Sequence, residues 1–233
     1  MPGFIAVTTK NIFIADFAKN SIRIYSPAFQ YMKTIHVSGG IFAIASDADD
    51  NVWIASASAG PRQTLKRIDI SGTVTAELPL EHATGDAMEL YYSFCIDHNN
   101  YFYVAYFTKN LIEVLHPSQG SLRTFSVPCL PASVPWTKIK RGMFSKGVSL
   151  PDGVIFGSIT TDNNGRLYIL TGDYSETPFR EVEICSTDGR FLSWCVLNEK
   201  SHLIHADGKK RLISVEGNKN KVKLYELTTP SHR

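Results

Sequence analysis

The sequence predicts an all-β protein, a β-propeller of about five four-stranded repeats with the last one incomplete, and three observations carry that prediction. A short apolar pattern recurs five times: Ile12-Phe13-Ile14-Ala15, Val52-Trp53-Ile54-Ala55, Phe102-Tyr103-Val104-Ala105, Leu167-Tyr168-Ile169-Leu170 and Leu212-Ile213-Ser214-Val215. Their second residues lie 40, 50, 65 and 45 positions apart, and a four-stranded blade takes about 40–50 residues. An aspartate (Asp47, Asp97, Asp162 or Asp207) stands six residues before that second residue in every repeat but the first, where Val7 takes its place. Apolar and polar residues alternate along the flanking segments, the period of a strand with one buried face.

Each repeat reads as four antiparallel strands, a to d. Strand a is the apolar run before the aspartate: Phe4–Val7, Ile41–Ala45, Tyr91–Ile96, Val154–Ile159 and Leu203-Ile204. The Asp/Asn-rich stretch is a tight turn, because these side chains bond nearby backbone groups and tolerate left-handed geometry. Strand b is the recurring pattern itself. Strand c carries the alternations Ile22/Ile24, Ile68/Ile70, Ile112/Val114, Val182/Ile184 and Val222/Leu224. A further turn, such as Ser71-Gly72 or Asp188-Gly189, leads to strand d at Met32–Val37, Val74–Leu78, Leu122–Val127 and Phe191–Leu197. Six residues follow Leu227, so the fifth unit stops after strand c and the expected total is 19 strands. The blades fall at 3–38, 40–80, 89–127, 154–198 and 202–227 of a single domain over 1–233. Two segments break the period, a link at Glu81–Met88 and an insertion at 128–153 holding four of the eleven prolines. Strands are expected throughout, with almost no helix outside those two segments.

The bulk numbers suit a globular protein. Of 233 residues, 43% are hydrophobic and 20% charged, enough to bury a core. No run approaches the roughly 18 apolar residues of a membrane span, and Met1–Val7 lacks the basic start and apolar length of a signal peptide. The chain as it stands is expected in the cytoplasm unless its original start is missing. Residues 1–130 hold 9 Lys/Arg against 11 Asp/Glu and residues 131–233 hold 15 against 11, so the second half carries +4 of the net +2. That asymmetry is ordinary surface charge or a mild preference for an acidic partner; nucleic acid is not expected as a partner. Cys95, Cys185 and Cys195 sit among apolar strand residues and are expected as free thiols. With a two-residue turn at Asp188-Gly189, Cys185 faces Leu192 and Cys195 faces Val182; with a bulged turn the thiols share a face about 13 Å apart. Neither register permits a disulfide.

The residues also carry a resemblance. Ile12-Phe13-Ile14-Ala15-Asp16, Asn20 and Ile22-Arg23-Ile24-Tyr25 resemble an NHL repeat. Asn51-Val52-Trp53-Ile54-Ala55 through Leu65-Lys66-Arg67-Ile68-Asp69 and Gly72-Thr73-Val74-Thr75 resemble a repeat of the streptogramin-lyase group. The likeness covers the first two blades well and the others loosely. It implies the six-bladed superfamily, so the chain is either a natural five-unit ring or part of a six-bladed one. In the latter case an open edge on the fifth blade is expected to promote self-association. It also implies two enzymatic precedents. Lactonase-like relatives place a divalent metal in the channel with a carboxylate from the first strand, which Gly3–Val7 lacks. Streptogramin lyases use a His/Glu constellation for which no matching motif is visible.

No residue set demands a reaction. Asp47, Asp49 and Asn51 mimic the start of a calcium loop, but Val52 stands where the glycine is needed. His202 and His205 point to opposite sides of a strand. Glu81-His82 reads as a lone pair in a loop with no orienting partner. No metal or other cofactor and no catalytic residue is therefore assigned. The expected function is non-enzymatic: a scaffold recognising a protein, peptide or glycan through the b–c and d–a loops, at Asp16, Lys19, Arg62, His82, Tyr106, Trp136, Asp173, Tyr174 and Glu216. Aromatic residues and arginine are favoured at binding hot spots. The alternative is a metal-dependent propeller hydrolase or lyase with its site in the channel.

Overall fold

The computed structural model describes residues 2–56, 62–84, 92–128, 130–139, 148–174, 177–207, 211–216 and 221–227. Their regular structure is strand, with one 3₁₀ turn at Phe17–Lys19. Four antiparallel sheets have four strands each, in chain order: β1 (Pro2–Val7), β2 (Ile12–Asp16), β3 (Ser21–Tyr25) and β4 (Tyr31–His36) form the first. The second is β5 (Ile41–Ser46), β6 (Val52–Ser56), β7 (Arg62–Ile68) and β8 (Val74–Thr84). The third is β9 (Tyr92–Ile96), β10 (Phe102–Tyr106), β11 (Ile112–His116) and β12 (Gly120–Phe125). A two-stranded hairpin follows, β13 (Trp136–Ile139) with β14 (Val148–Pro151). The fourth sheet is β15 (Phe156–Thr161), β16 (Arg166–Thr171), β17 (Glu181–Ser186) and β18 (Phe191–Val196). The fifth has three strands, β19 (Leu203–Ala206), β20 (Arg211–Glu216) and β21 (Lys221–Glu226). These are five blades of a β-propeller, and their 19 strands match the expected count. Among the described residues no sixth blade is seen.

Two compact units emerge, Met1–Val104 with Glu113–Thr124, and Ala105–Ile112 with Phe125–Arg233. In the first unit, the innermost strands β1, β5 and β9 lie successively side by side. Ala6, Phe13, Ile22, Ile24, Ile41, Ile44 and Ile54 bury a common core between the first two sheets. In the second unit β15 lies beside β19, and Leu170, Val182 and Leu197 pack against Ile204, Ala206 and Leu212. The alternation seen in sequence thus supplies both flat faces of each sheet.

The recurring aspartate has a structural task. One carboxylate oxygen of Asp97 accepts the amides of Asn99 and Tyr101 at 2.9 and 3.0 Å. Its other oxygen accepts the hydroxyl of Tyr103, the aligned strand-b residue, at 3.1 Å. Asp162 repeats this with Asn164, Arg166 and the Tyr168 hydroxyl, and Asp47 with Asp49, Asn51 and the Trp53 indole N–H. The first repeat has Phe13, which has no polar hydrogen to place, and there Val7 replaces the aspartate. In the fifth, Ile213 is equally mute and Asp207 binds the Arg211 guanidinium instead. Adjacent turns are also tied together: Asp50 accepts from Thr9, and Asn100 joins Ala48 and Asp49 at 2.9 and 3.0 Å.

Three expectations are corrected. Strand d of the second blade does not end at Leu78 but continues as β8 to Thr84, so Glu81 and His82 are strand residues; 85–88 lie outside the described residues. The insertion at 128–153, where the sequence permits helix, carries the strand pair β13–β14 among its described residues. Strand c of the second blade ends at Ile68, leaving Ile70 exposed in the turn. The β17–β18 turn is bulged, with Cys185 opposite Phe191 and Cys195 opposite Val182. Cys95, Cys185 and Cys195 are free thiols. Burial, then the Glu183 carboxylate, pushes Cys185 up to about 11, which leaves it inert as a nucleophile near neutrality.

Candidate functional site

The sequence-predicted residues fall into distinct settings. Asp16 ends β2 at 3% exposure, with the Arg23 guanidinium 3.9 Å away. Lys19 is exposed in the 3₁₀ turn. Arg62 opens β7 opposite Thr84. Tyr106 and Glu216 are buried, and Glu216 accepts the Lys223 ammonium at 3.0 Å. Asp173 and Tyr174 close on the chain that follows the β13–β14 hairpin, and the Trp136 backbone opens β13. Trp136 pairs with Pro151, the Tyr174 hydroxyl donates to the Asp152 carbonyl, and Asp173 accepts the Val154 amide at 3.0 Å. Gly172 permits this closure, because a Cβ there would collide with the Val154 carbonyl.

The other side of the hairpin base is held by a residue that sequence reading passed over. Asn110, 7% exposed in the b–c loop of the third sheet, donates to the carbonyls of Val127 and Leu130 at 2.8 and 3.0 Å. Its side-chain oxygen accepts the Val127 amide at 2.8 Å. Backbone bonds from Asn110 to Ala132 and from Val134 to Thr108 continue the attachment. Residues 130–134 thereby run beside the b–c loop, with an isolated bridge between Lys109 and Ser133.

A second assembly lies between β8 and β11. The β7–β8 register jumps from Thr64↔Pro79 to Arg62↔Thr84. The extra residues form a bulge in which Leu80 and Ala83 turn inward, at 1% and 3% exposure, while Glu81 is exposed. The Glu81 amide donates to Glu113 Oε1 at 3.1 Å. One ligand atom from each of Glu81, His82 and Glu113 lies within 4.8 Å of the others, and Glu113 is fully buried. Two carboxylates and an imidazole are donors that hold divalent metals. The expectation that Glu81-His82 lacks a partner is therefore corrected: Glu113 is that partner, 31 residues beyond His82. Its signal in sequence was a carboxylate between two inward residues, Ile112 and Val114.

Glu113 belongs to a column of charged residues at the middle of strand c. Register places Arg23 opposite Ile14, Lys66 opposite Ile54, Glu183 opposite Ile169 and Lys223 opposite Ser214. In the fifth sheet Lys223 bridges two carboxylates, Glu199 at 2.6 Å and Glu216 at 3.0 Å. In the fourth, burial and then the Glu181 carboxylate push Glu183 from 4.5 up to about 7. Folded Glu183 holds its proton more tightly than unfolded Glu183. Its contribution to stability is present below the unfolded value and is lost as pH rises from 4.5 through about 7. Glu183→Gln, which stays neutral, should exceed the parent in denaturant resistance at about pH 8 and lose that advantage near about pH 4. A variant that is no more stable at either pH would refute this assignment.

No family model matches the chain, and no curated protein matches it in sequence. Its structure is similar to virginiamycin B lyase from Staphylococcus aureus, at 15% identity and TM-score 0.54, covering 96% of this chain and 69% of that one. It is similar to a streptogramin B lyase at 14% identity and TM-score 0.53, covering 98% and 84%. A chain of a nidogen/laminin complex is similar at 14% identity and TM-score 0.65, covering 96% and 75%. At these identities the likeness defines the class, a β-propeller, and propellers host many activities. Among the described residues no helix is long and apolar enough to cross a membrane.

Proposed function

We propose that this propeller is a non-enzymatic scaffold that recognises a protein or peptide through its b–c and d–a connections. The observation that supports it most is the seated β13–β14 hairpin. Backbone and Asn110 bonds fix its base on one side, Asp173 and Tyr174 on the other. An element with so much of its base pre-organised loses little entropy on binding. The hairpin region carries Lys138, Lys140, Arg141 and Lys146 in sequence, which suits an acidic partner. Trp136 and Tyr174 are proposed as contact residues, with Lys19 in the β2–β3 turn, Arg62 at the start of β7 and His82 near the end of β8. Asp16, Tyr106 and Glu216 are buried and act from beneath, shaping those connections, while the exposed Asp173 holds the Val154 amide. The nidogen/laminin complex supports the use of such a fold within a protein assembly.

Selection of a random peptide library on the immobilised chain tests the proposal. Acidic peptides should be enriched, and the double variant Lys138→Glu, Lys140→Glu should weaken the best of them about tenfold or more. No enrichment, enrichment of glycans alone on a parallel array, or binding indifferent to the double variant would refute it.

A further inference from the structure

We propose that Glu81, His82 and Glu113 form a binding site for one divalent transition-metal ion of the Zn²⁺ type, which ties the end of β8 to β11. The donor set is the first argument. An imidazole with two carboxylates matches three-ligand zinc sites that leave a fourth position to water. Hard ions such as Ca²⁺ ask for six to eight oxygens, more than three side chains supply.

Distance is the second argument. Zn²⁺ bonds of about 2.0–2.2 Å put tetrahedral ligand atoms roughly 3.4 Å apart. The three atoms already lie within 4.8 Å of one another. Closing the difference falls to Glu81 and His82, one exposed and the other partly so. Glu113 is the fixed member, fully buried and oriented by the Glu81 amide.

The protein's own repetition supplies a third, independent argument. By register Leu78 of β8 corresponds to Cys195 of β18, since they face Leu65 and Val182 respectively. The strand-c column aligns Glu113 with Lys223, and each is met by a residue beyond Leu78 or Cys195 on strand d of the preceding sheet, the Glu81 amide in one case and the Glu199 carboxylate in the other. At the later seam this place is filled by a cation, the Lys223 ammonium, gripped by Glu199 and Glu216. At the earlier seam the strand-c residue is itself a carboxylate, so the same place presents donors around a point where its homologue holds positive charge. The Asp-rich turns offer no such site, because amides and the strand-b side chain occupy their oxygens.

The test uses the whole chain, stripped with EDTA and exchanged into metal-free buffer. Titration calorimetry with Zn²⁺ alone should show one equivalent bound. The thermal transition should climb with Zn²⁺ concentration, because a ligand of the native state raises apparent stability. Glu81→Gln and His82→Asn, at positions that are not fully buried, should each weaken binding by about tenfold or more. Glu113→Gln should abolish it; should that variant fail to fold, the other two still decide. No zinc-dependent shift in the parent would overturn the site. So would undiminished one-to-one binding in both Glu81→Gln and His82→Asn, which would place the ion elsewhere. Neither result bears on peptide recognition by the hairpin, whose test needs no metal.

Discussion

Asp97→Ala should lower the unfolding free energy by about 3 kcal/mol, since hydrogen bonds to a charged group contribute about 1.5–3 kcal/mol. Three donors lose their acceptor: the amides of Asn99 and Tyr101, and the Tyr103 hydroxyl. The turn amides can turn to water, but Tyr103 is 1% exposed and its hydroxyl cannot. Tyr103→Phe alone should cost about 1 kcal/mol, the net value of one hydrogen bond. The double variant Asp97→Ala, Tyr103→Phe removes both partners, as the Val7/Phe13 combination of the first repeat does, and should cost less than the two single changes added together. Urea unfolding of the four proteins measures this cycle. Strict additivity would show that the aspartate serves the turn alone and does not act through the strand-b side chain.

Asn110→Ala should cost a similar amount, about 3 kcal/mol, by unpairing the Val127 amide and the carbonyls of Val127 and Leu130. Asn110→Asp should be at least as damaging, because it sets a carboxylate against two carbonyl oxygens. The local signature is as informative as the magnitude. Amide exchange should accelerate at Asn110 and Val134, whose backbone bonds hold the hairpin base, before it does in β1 to β4. Binding of any selected peptide should fall together with that protection. A variant that loses global stability with unchanged exchange at the hairpin base would show that Asn110 does not seat it. Domains of this kind have about 5–15 kcal/mol in hand, so both variants should fold at room temperature.

The fold class and most strand positions were legible in the sequence because they rest on local physics. Period-two alternation states which face of a strand is buried, and Asp/Asn turns state where it reverses. The aspartate at a constant six-residue offset from an aromatic was visible as spacing. Its reason, a hydroxyl or indole N–H reaching back across the turn, appears once the strand pair is built. The first and fifth repeats, with Phe13 and Ile213, show the rule by its exceptions.

What the sequence by itself determined, then, was five repeated blades and 19 blade strands, each with an inward and an outward face. The tertiary structure alone decided which distant residues meet. Whether β8 stops at Leu78 or runs on to Thr84 depends on its partner strand β7 and on the bulge that buries Leu80 and Ala83. The Glu81–His82–Glu113 cluster exists because that extension reaches β11, and the seated hairpin exists because Asn110 bonds carbonyls 17 and 20 residues away. Local pattern encodes what a residue does within its own strand or turn. Contacts between elements depend on the register and twist that packing imposes, and a single sequence carries no local sign of them.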